Sequence, residues 1–226
     1  MRQLIVSSVM ALWLAGCAAQ PNSAPPSSSS SPSVSPSYGL VNPANIKRIR
    51  PALPAGYEIA DVSGPLSAAG LWGFGSGWTA TPPHCGALAD PAPADPGARG
   101  YSASGPGGTV YVVVAVPGQG APDPGLIGEC AQWTMTFAHT TGEVSLTPIS
   151  AAPHIDGVDT VAMTVTTRMV VESGTETDGN AVTAQAYLDG HLVFVTLVTD
   201  PGSPHPPLDS HFVGDLLVAT VSALRG

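Results

Sequence analysis

Cys17 has the most clearly defined chemistry in this 226-residue chain. It closes the sequence Leu-Ala-Gly-Cys at residues 14–17, behind an apolar run at residues 4–14 and the basic residue Arg2. A charged start, a short apolar stretch and small residues before a cleavage point are the features of an export signal. A cysteine directly after that point can receive a diacylglyceryl group on its thiol. The sequence therefore predicts a signal peptide at residues 1–16 and a lipidated Cys17 as the mature N-terminus.

Two alternatives exist for this segment, namely an ordinary signal peptide with a chance cysteine and a membrane-spanning helix. The apolar run is far shorter than the ~20 residues that a helix needs to cross a bilayer, which disfavours a span. The resemblance of residues 14–17 to a bacterial lipobox favours lipidation over a chance cysteine. We therefore expect the protein in the cell envelope, on the outer face of the cytoplasmic membrane, anchored by its N-terminal lipid.

Cys85 and Cys130 are the two remaining cysteines. An even pair of cysteines in an exported domain is expected to form a disulfide, because the compartment is oxidising. A metal site and a reactive thiol are the alternatives. Neither cysteine lies in a CxxC motif, although His84 adjoins Cys85. The disulfide is the favoured interpretation.

The composition divides the mature chain into a tether and one domain. Residues 17–44 are rich in serine and proline and cannot bury a core, so we expect a polar tether there. Residues 45–226 are enough for a single domain. All 16 acidic residues lie in this domain, together with every basic residue except Arg2. An acidic surface repels phosphate backbones, which argues against nucleic acid as a partner.

The clearest local structure surrounds the dipeptide Asp189-Gly190. It separates two β-rich runs, which is the pattern of a two-residue type I′ hairpin turn. Such a turn places Leu188 opposite His191 and fixes every pair further out. The small and aliphatic side chains of the hairpin then share one face: Val182, Ala184, Ala186, Val193, Val195 and Leu197.

A C-terminal helix is predicted after the break at Pro206 and Pro207. Asp209 or Ser210 can cap it, and its pattern ends near Leu224. We expect its apolar stripe to pack on the small and aliphatic face of the hairpin: Phe212, Val213, Leu216, Leu217, Val221 and Leu224.

Further strands are predicted at residues 56–62, 109–116 and 160–172 because apolar side chains alternate there or form a short continuous run. Residues 128–138 fit either a helix leading into a strand or one long strand. The fold class is therefore α+β, with an antiparallel β-sheet, a C-terminal helix packed on one face and one disulfide.

The sheet face opposite the helix is the candidate ligand site. On our register it carries Thr166, Arg168, Gln185 and Tyr187. An arginine among hydroxyls and an aromatic ring can anchor a carboxylate, a phosphate or a sugar group. The alternative is a half-exposed sheet that faces only water, which antiparallel sheets commonly do.

Aromatic residues alternate with glycines at residues 71–78, where Trp72, Phe74 and Trp78 lie. Such a segment can line the mouth of a ligand site. It can equally pin an irregular loop to the core, and the second interpretation is favoured.

Motifs for catalysis are absent from the sequence. The segment around Ser76 has Phe74 where a nucleophile elbow needs glycine, and there is no phosphate-binding or dinucleotide-binding loop. The histidines show no metal-binding spacing, although His205 and His211 lie six residues apart. We therefore expect a non-catalytic domain that holds no metal and needs no cofactor.

Five features together carry a family resemblance: the lipobox, the Ser/Pro tether, Pro-Pro-His-Cys at residues 82–85, Cys130 before Trp133 and the closing hairpin–helix unit. With them the sequence resembles small mycobacterial lipoproteins of uncharacterised function and the extracellular sensor domain of the mycobacterial serine/threonine kinase PknH. The resemblance implies an α/β domain with an antiparallel sheet, a disulfide and a cleft for an unknown ligand. This sequence differs from the kinase sensor in one respect, because the sensor has two disulfides and only Cys85 and Cys130 are available here.

Three functional classes follow for the domain. The favoured one is a non-catalytic ligand-binding or sensor-like module that recognises a small molecule or an envelope component and can act with a protein partner. A lipid or glycolipid carrier would instead have a large apolar cavity between sheet and helices. An envelope hydrolase would bring a serine, a histidine and an acid together from distant parts of the chain.

Overall fold

The computed structural model describes residues 40–146 and 152–226. The predicted signal peptide, Cys17 and most of the predicted tether lie outside the described residues. Nine strands of the described residues form one antiparallel sheet: β1 Glu58–Ser63, β2 Thr79–Thr81, β3 Arg99–Gly105, β4 Gly108–Ala115, β5 Gln132–Phe137, β6 Thr140–Leu146, β7 Asp159–Val170, β8 Glu176–Leu188 and β9 His191–Thr199. Their order in the sheet is β1-β3-β4-β9-β8-β7-β6-β5-β2.

Helices cover both faces of this sheet, and the predicted α+β class is confirmed. The α-helices in the part of the chain that the structure describes are α1 Ala68–Leu71, α2 Gly86–Ala89, α3 Pro124–Glu129 and α4 Ser210–Arg225. A 3-10 helix at Pro43–Ala52 opens the domain, and a second at Pro83–Cys85 runs into α2. No helix among the described residues is long and apolar enough to cross a membrane.

The hairpin of β8 and β9 has the predicted register. Leu188 pairs with His191, and the pairs further out follow as expected. Asp189 and Gly190 have φ values of 42° and 75°, which is the backbone of a type I′ turn. The alternation of side chains along both strands therefore puts the small and aliphatic residues on one face, as the sequence predicts.

Helix α4 packs on that small and aliphatic face. Ala184, Ala186, Val193 and Val195 of the hairpin form one buried cluster with the apolar stripe of α4. The 3-10 helix at Pro43–Ala52 completes this layer with Ile46 and Ile49, and we call this side of the sheet the α4 face. Small side chains on the strands leave room for the helix to approach closely.

Asp209 is the N-cap of α4, and its carboxylate accepts a hydrogen bond from the backbone N–H of Phe212 at 2.9 Å. We expect Asp209→Ala to lower the free energy of unfolding by about 1 kcal/mol, because one of the first N–H groups of the helix loses its acceptor. Urea unfolding of the two proteins measures the difference. Asp215→Asn, an exposed change on the same helix, is the control and should leave stability nearly unchanged. Equal midpoints for Asp209→Ala and wild type would show that the cap contributes nothing.

The opposite side of the sheet carries α1, α2 and α3 with their loops, and we call it the cavity face. Phe194 of β9 and Met163 of β7 are fully buried there against Trp72, Leu88 and Trp133. The ambiguous segment at residues 128–138 resolves into the end of α3 followed by β5. Both sides of the sheet are therefore covered, and the sheet presents no broad open face above β8 and β9.

Candidate functional site

The four residues predicted to form a ligand site lie on two different faces of the sheet. Thr166 and Arg168 occupy even positions of β7, which pair with even positions of β8 and so share the α4 face with Ala184. Gln185 and Tyr187 occupy odd positions and point to the cavity face. The expectation that these four side chains share one open face is therefore wrong.

Gln185 is fully buried beneath α2 rather than facing solvent. Its side-chain N–H donates to the backbone carbonyl of Leu88 at 2.9 Å, and its carbonyl oxygen accepts from the hydroxyl of Tyr187 at 3.1 Å. Burial raises the pKa of Tyr187 above its ordinary value, so the hydroxyl stays protonated and keeps donating. The pair therefore fixes α2 to the sheet.

Arg168 forms two ion pairs near the connection between β7 and β8. Its guanidinium lies 3.3 Å from Glu176 and 3.3 Å from Asp178, and all three side chains are more than half exposed. Thr166, two residues earlier on the same strand, is exposed and donates to the side chain of Asn180 at 3.3 Å. Because Arg168 already has two carboxylate partners, it is poorly suited to anchoring an anionic ligand.

A cavity of about 520 Å³ lies on the cavity face, and we call it the Asp90 cavity. Tyr187 of β8 contributes to its lining, together with α2, the loop that follows α2, the loop after β4 and the start of α3. The lining residues are Ala87, Asp90, Pro91, Pro93, Gly118, Gln119, Gly120, Ala121, Pro122, Asp123, Leu126 and Tyr187. Its volume falls in the range of sites for small organic molecules.

Two backbone contacts hold the loops of the Asp90 cavity together. The N–H of Gly118 donates to the carbonyl of Pro91 at 2.9 Å. The N–H of Val116 donates to the carboxylate of Asp95 at 2.8 Å. The loop after α2 and the loop after β4 are thus tied to each other, so the cavity has a preformed rim.

Asp90 borders this cavity and also two neighbouring ones of about 280 and 480 Å³. Its Oδ1 atom is buried and has no hydrogen-bond partner among the described residues. Burial raises the pKa of Asp90 above its ordinary value of 3.8, because the charged carboxylate loses water without gaining a partner. An uncompensated carboxyl group beside a cavity is a typical feature of a functional site.

We expect Asp90→Asn to stabilise the protein at neutral pH. The raised pKa means that the folded state binds more protons than the unfolded state, so stability falls as pH rises above 3.8 and stays reduced at pH 7. The amide removes this loss, and the gain over wild type should be present at pH 7 and small near pH 3.5. Urea unfolding at the two pH values measures it, with Asp215→Asn on exposed α4 as the control. A variant less stable than wild type at pH 7 would contradict this account of Asp90.

The aromatic and glycine segment at residues 71–78 is packed into the core at one end and borders two small cavities at the other. Trp72 and Phe74 are buried in the core, and the indole N–H of Trp72 donates to Thr183 at 3.0 Å. Trp78 is partly buried and lines both smaller cavities next to Asp90. The segment is thus pinned to the sheet at one end and borders the candidate site at the other.

The predicted disulfide between Cys85 and Cys130 is confirmed, with both residues fully buried and their Cα atoms 5.5 Å apart. It joins α2 to the end of α3, two elements that line the Asp90 cavity. Nε2 of His84 lies 3.4 Å from Oε2 of Glu129 beside it. His84 and the two sulfurs also lie within 4.8 Å of one another, but the disulfide occupies both sulfurs, so this group is not a metal site.

A family model described as a domain of unknown function, DUF5642, matches residues 42–225. The chain belongs to the DUF5642 family. No curated protein matches its sequence. The DUF5642 domain is similar in structure to a crystal structure of an uncharacterised protein from Mycobacterium smegmatis, described as the Rv0999 orthologue. The two are 21% identical with a TM-score of 0.62, over 84% of this chain and 100% of the other.

The likeness to the Mycobacterium smegmatis protein establishes the fold of the DUF5642 domain and nothing finer. The residues of the Asp90 cavity were not predictable as a site from their sequence. They come from a Pro- and Ala-rich stretch near Asp90 and a Gly- and Pro-rich stretch near Gly120. No motif in these stretches distinguishes Asp90 from Asp95, the next acidic residue.

Proposed function

We propose that this chain is a lipid-anchored protein of the mycobacterial cell envelope whose DUF5642 domain binds a small molecule without converting it. The lipobox-like residues 14–17 support the anchor. The Asp90 cavity carries the binding role, because it is preformed, is bordered by a polar group without a partner and has the volume of a ligand site. A sensor-like role, as in the PknH domain that the sequence resembles, belongs to the same proposal.

The chemistry of the cavity lining favours binding over catalysis. Among the described residues that line the Asp90 cavity, none is a serine, cysteine, histidine or lysine. A hydrolase with a serine nucleophile needs a hydroxyl and a base within hydrogen-bond reach of each other. The described lining of the Asp90 cavity therefore supports a binding role better than the hydrolase alternative.

The lipid-carrier alternative is less well supported. Its cavity should be large and apolar throughout, whereas the Asp90 cavity is of moderate size and includes the carboxyl groups of Asp90 and Asp123. A buried charge next to an acyl chain would be costly. A ligand with a polar group directed at Asp90 fits this lining better than a hydrocarbon chain.

Native mass spectrometry of the full-length protein tests the binding role. The protein is expressed in a mycobacterium, extracted from the membrane in detergent and compared with Ala87→Trp, which places a large side chain in the cavity wall. Ala87 is exposed on α2 and lines the cavity, so the helix should tolerate the change. Ser222→Trp, on the exposed side of α4, is the matched control.

We expect a non-covalent adduct of small mass on wild type and on Ser222→Trp, and its loss from Ala87→Trp. An adduct of equal occupancy on all three proteins would place the ligand elsewhere. Conversion of the bound molecule during incubation would contradict the non-catalytic role.

A further inference from the structure

The basic side chains of the described residues lie on the side of the sheet away from the Asp90 cavity. Lys47, Arg48 and Arg50 belong to the 3-10 helix that packs on the α4 face. Arg225 lies in α4 itself. Strand alternation puts the other two on the same face, because they pair with Val114 and Asp178 there: Arg99 and Arg168. Among residues 40–146 and 152–226, the cavity face therefore has no lysine or arginine to neutralise a bound anion.

The lining of the Asp90 cavity is acidic as well. Its described residues include two carboxyl groups and no basic side chain. Asp123 is already engaged, because its carboxylate accepts a hydrogen bond from the backbone N–H of Gly125 at the start of α3. Asp90 forms no such bond with the described residues, since its Oδ1 is enclosed by protein without a partner, and the residue is only half-buried where it borders the cavity. Asp90 is thus the polar group of the cavity that a ligand is best placed to satisfy.

The remaining walls are apolar or neutral. Pro91, Pro93, Pro122 and Leu126 present hydrocarbon surface, and the hydroxyl of Tyr187 is committed to Gln185. A ligand therefore needs an apolar body for the walls and a donor group for the carboxyl. A positively charged donor gains most, since hydrogen bonds that include a charged group are stronger than neutral ones.

We infer that the Asp90 cavity takes a small organic ammonium ion with an apolar body, its ammonium group directed at the Asp90 carboxyl. The inference rests on the proposed binding function and names its ligand class. It reverses the sequence-based expectation of an anionic ligand at Arg168. It also predicts that a phosphate close to the amine weakens binding, because the two carboxyl groups of the lining repel the phosphate.

Three aromatic probes of similar size test the charge of the ligand. Benzylamine, benzyl alcohol and benzoate each carry a phenyl ring with a one-carbon polar substituent, and they are cationic, neutral and anionic at pH 7. They are titrated into the full-length protein in detergent. Binding is followed by the NMR chemical shifts of the backbone amides of Gly118 and Gly120 at the cavity rim. We expect benzylamine to bind most tightly and benzoate not to bind. Dihexanoyl phosphatidylethanolamine tests whether the source of the ammonium group is a lipid head group, and it should bind more weakly than benzylamine.

Asp90→Asn should weaken benzylamine binding about 10- to 100-fold and leave benzyl alcohol nearly unaffected, as expected for loss of a charge-assisted hydrogen bond. Asp215→Asn on the opposite face should change neither. Preferred binding of benzoate or of the phospholipid at the rim, or equal benzylamine affinity in wild type and Asp90→Asn, would overturn the ammonium class while leaving a binding cavity. Failure of every probe to shift the rim amides would overturn both the ammonium class and the proposed binding function.

Discussion

Replacing both Cys85 and Cys130 with alanine is expected to lower the free energy of unfolding by about 4 kcal/mol. The disulfide closes a loop of 45 residues, and a cross-link over that length removes about this much entropy from the unfolded chain. Urea unfolding of the double variant and the wild type measures the difference. Since the bond joins α2 to α3, the variant should also lose order at the rim of the Asp90 cavity, which the amides of Gly118 and Gly120 report.

Reduction provides the matched control for this prediction. Wild type treated with reductant should fall to about the stability of the double variant, and the variant itself should not respond to reductant. A wild-type protein whose two thiols are shown to be free, yet whose unfolding midpoint is unchanged, would contradict the stabilising role of the Cys85–Cys130 bond.

Replacing Cys17 with alanine is expected to abolish lipidation, so that the protein remains an unprocessed precursor or is released without its lipid anchor. The thiol is the acceptor of the diacylglyceryl group in the proposed processing, and alanine offers no nucleophile for it. Cell fractionation should find wild type with the membrane and Cys17→Ala as an unprocessed precursor or a released form. The mass of the mature wild type should correspond to a chain that begins at Cys17 and carries lipid.

The double variant of Cys85 and Cys130 is a control for this experiment, because it removes thiols without touching the lipobox. It should remain in the membrane fraction. An unmodified Cys17 in membrane-bound mature protein would show that something other than the lipid anchors the chain.

Local sequence signals predicted the last hairpin and the C-terminal helix well. A two-residue turn at Asp189-Gly190 leaves one register for β8 and β9, and a cap at Asp209 with an apolar stripe defines one helix. Each signal lies within a few residues of what it specifies. The packing of α4 on the small face follows because that face cannot remain in water.

The error in the candidate site concerned β7, which lies next to β8 in the sheet. Alternation in β7 correctly separates Thr166 and Arg168 from Val161 and its neighbours. It does not say which set shares a face with Gln185, because that depends on the five-residue connection between β7 and β8 and not on side-chain character. Polar residues were grouped together, whereas Gln185 is buried with apolar partners through its bond to the Leu88 carbonyl.

The Asp90 cavity could not be predicted because it is assembled from distant segments. Asp90 and Leu126 are brought together by the disulfide and by the bond between Gly118 and Pro91. None of these residues belongs to a motif, and the burial that raises the pKa of Asp90 exists only in the folded chain. The pairing of cysteines was predictable, but not the cavity that the pairing shapes.

A crystal structure of the mature protein isolated from mycobacterial membranes tests the central claim most directly, namely that the Asp90 cavity is a binding site. The account predicts a small molecule in this cavity, with a nitrogen atom within hydrogen-bond distance of the Asp90 carboxyl and no covalent bond to the protein. A cavity closed by its own side chains, or a ligand bound elsewhere while this cavity holds only water, would contradict it.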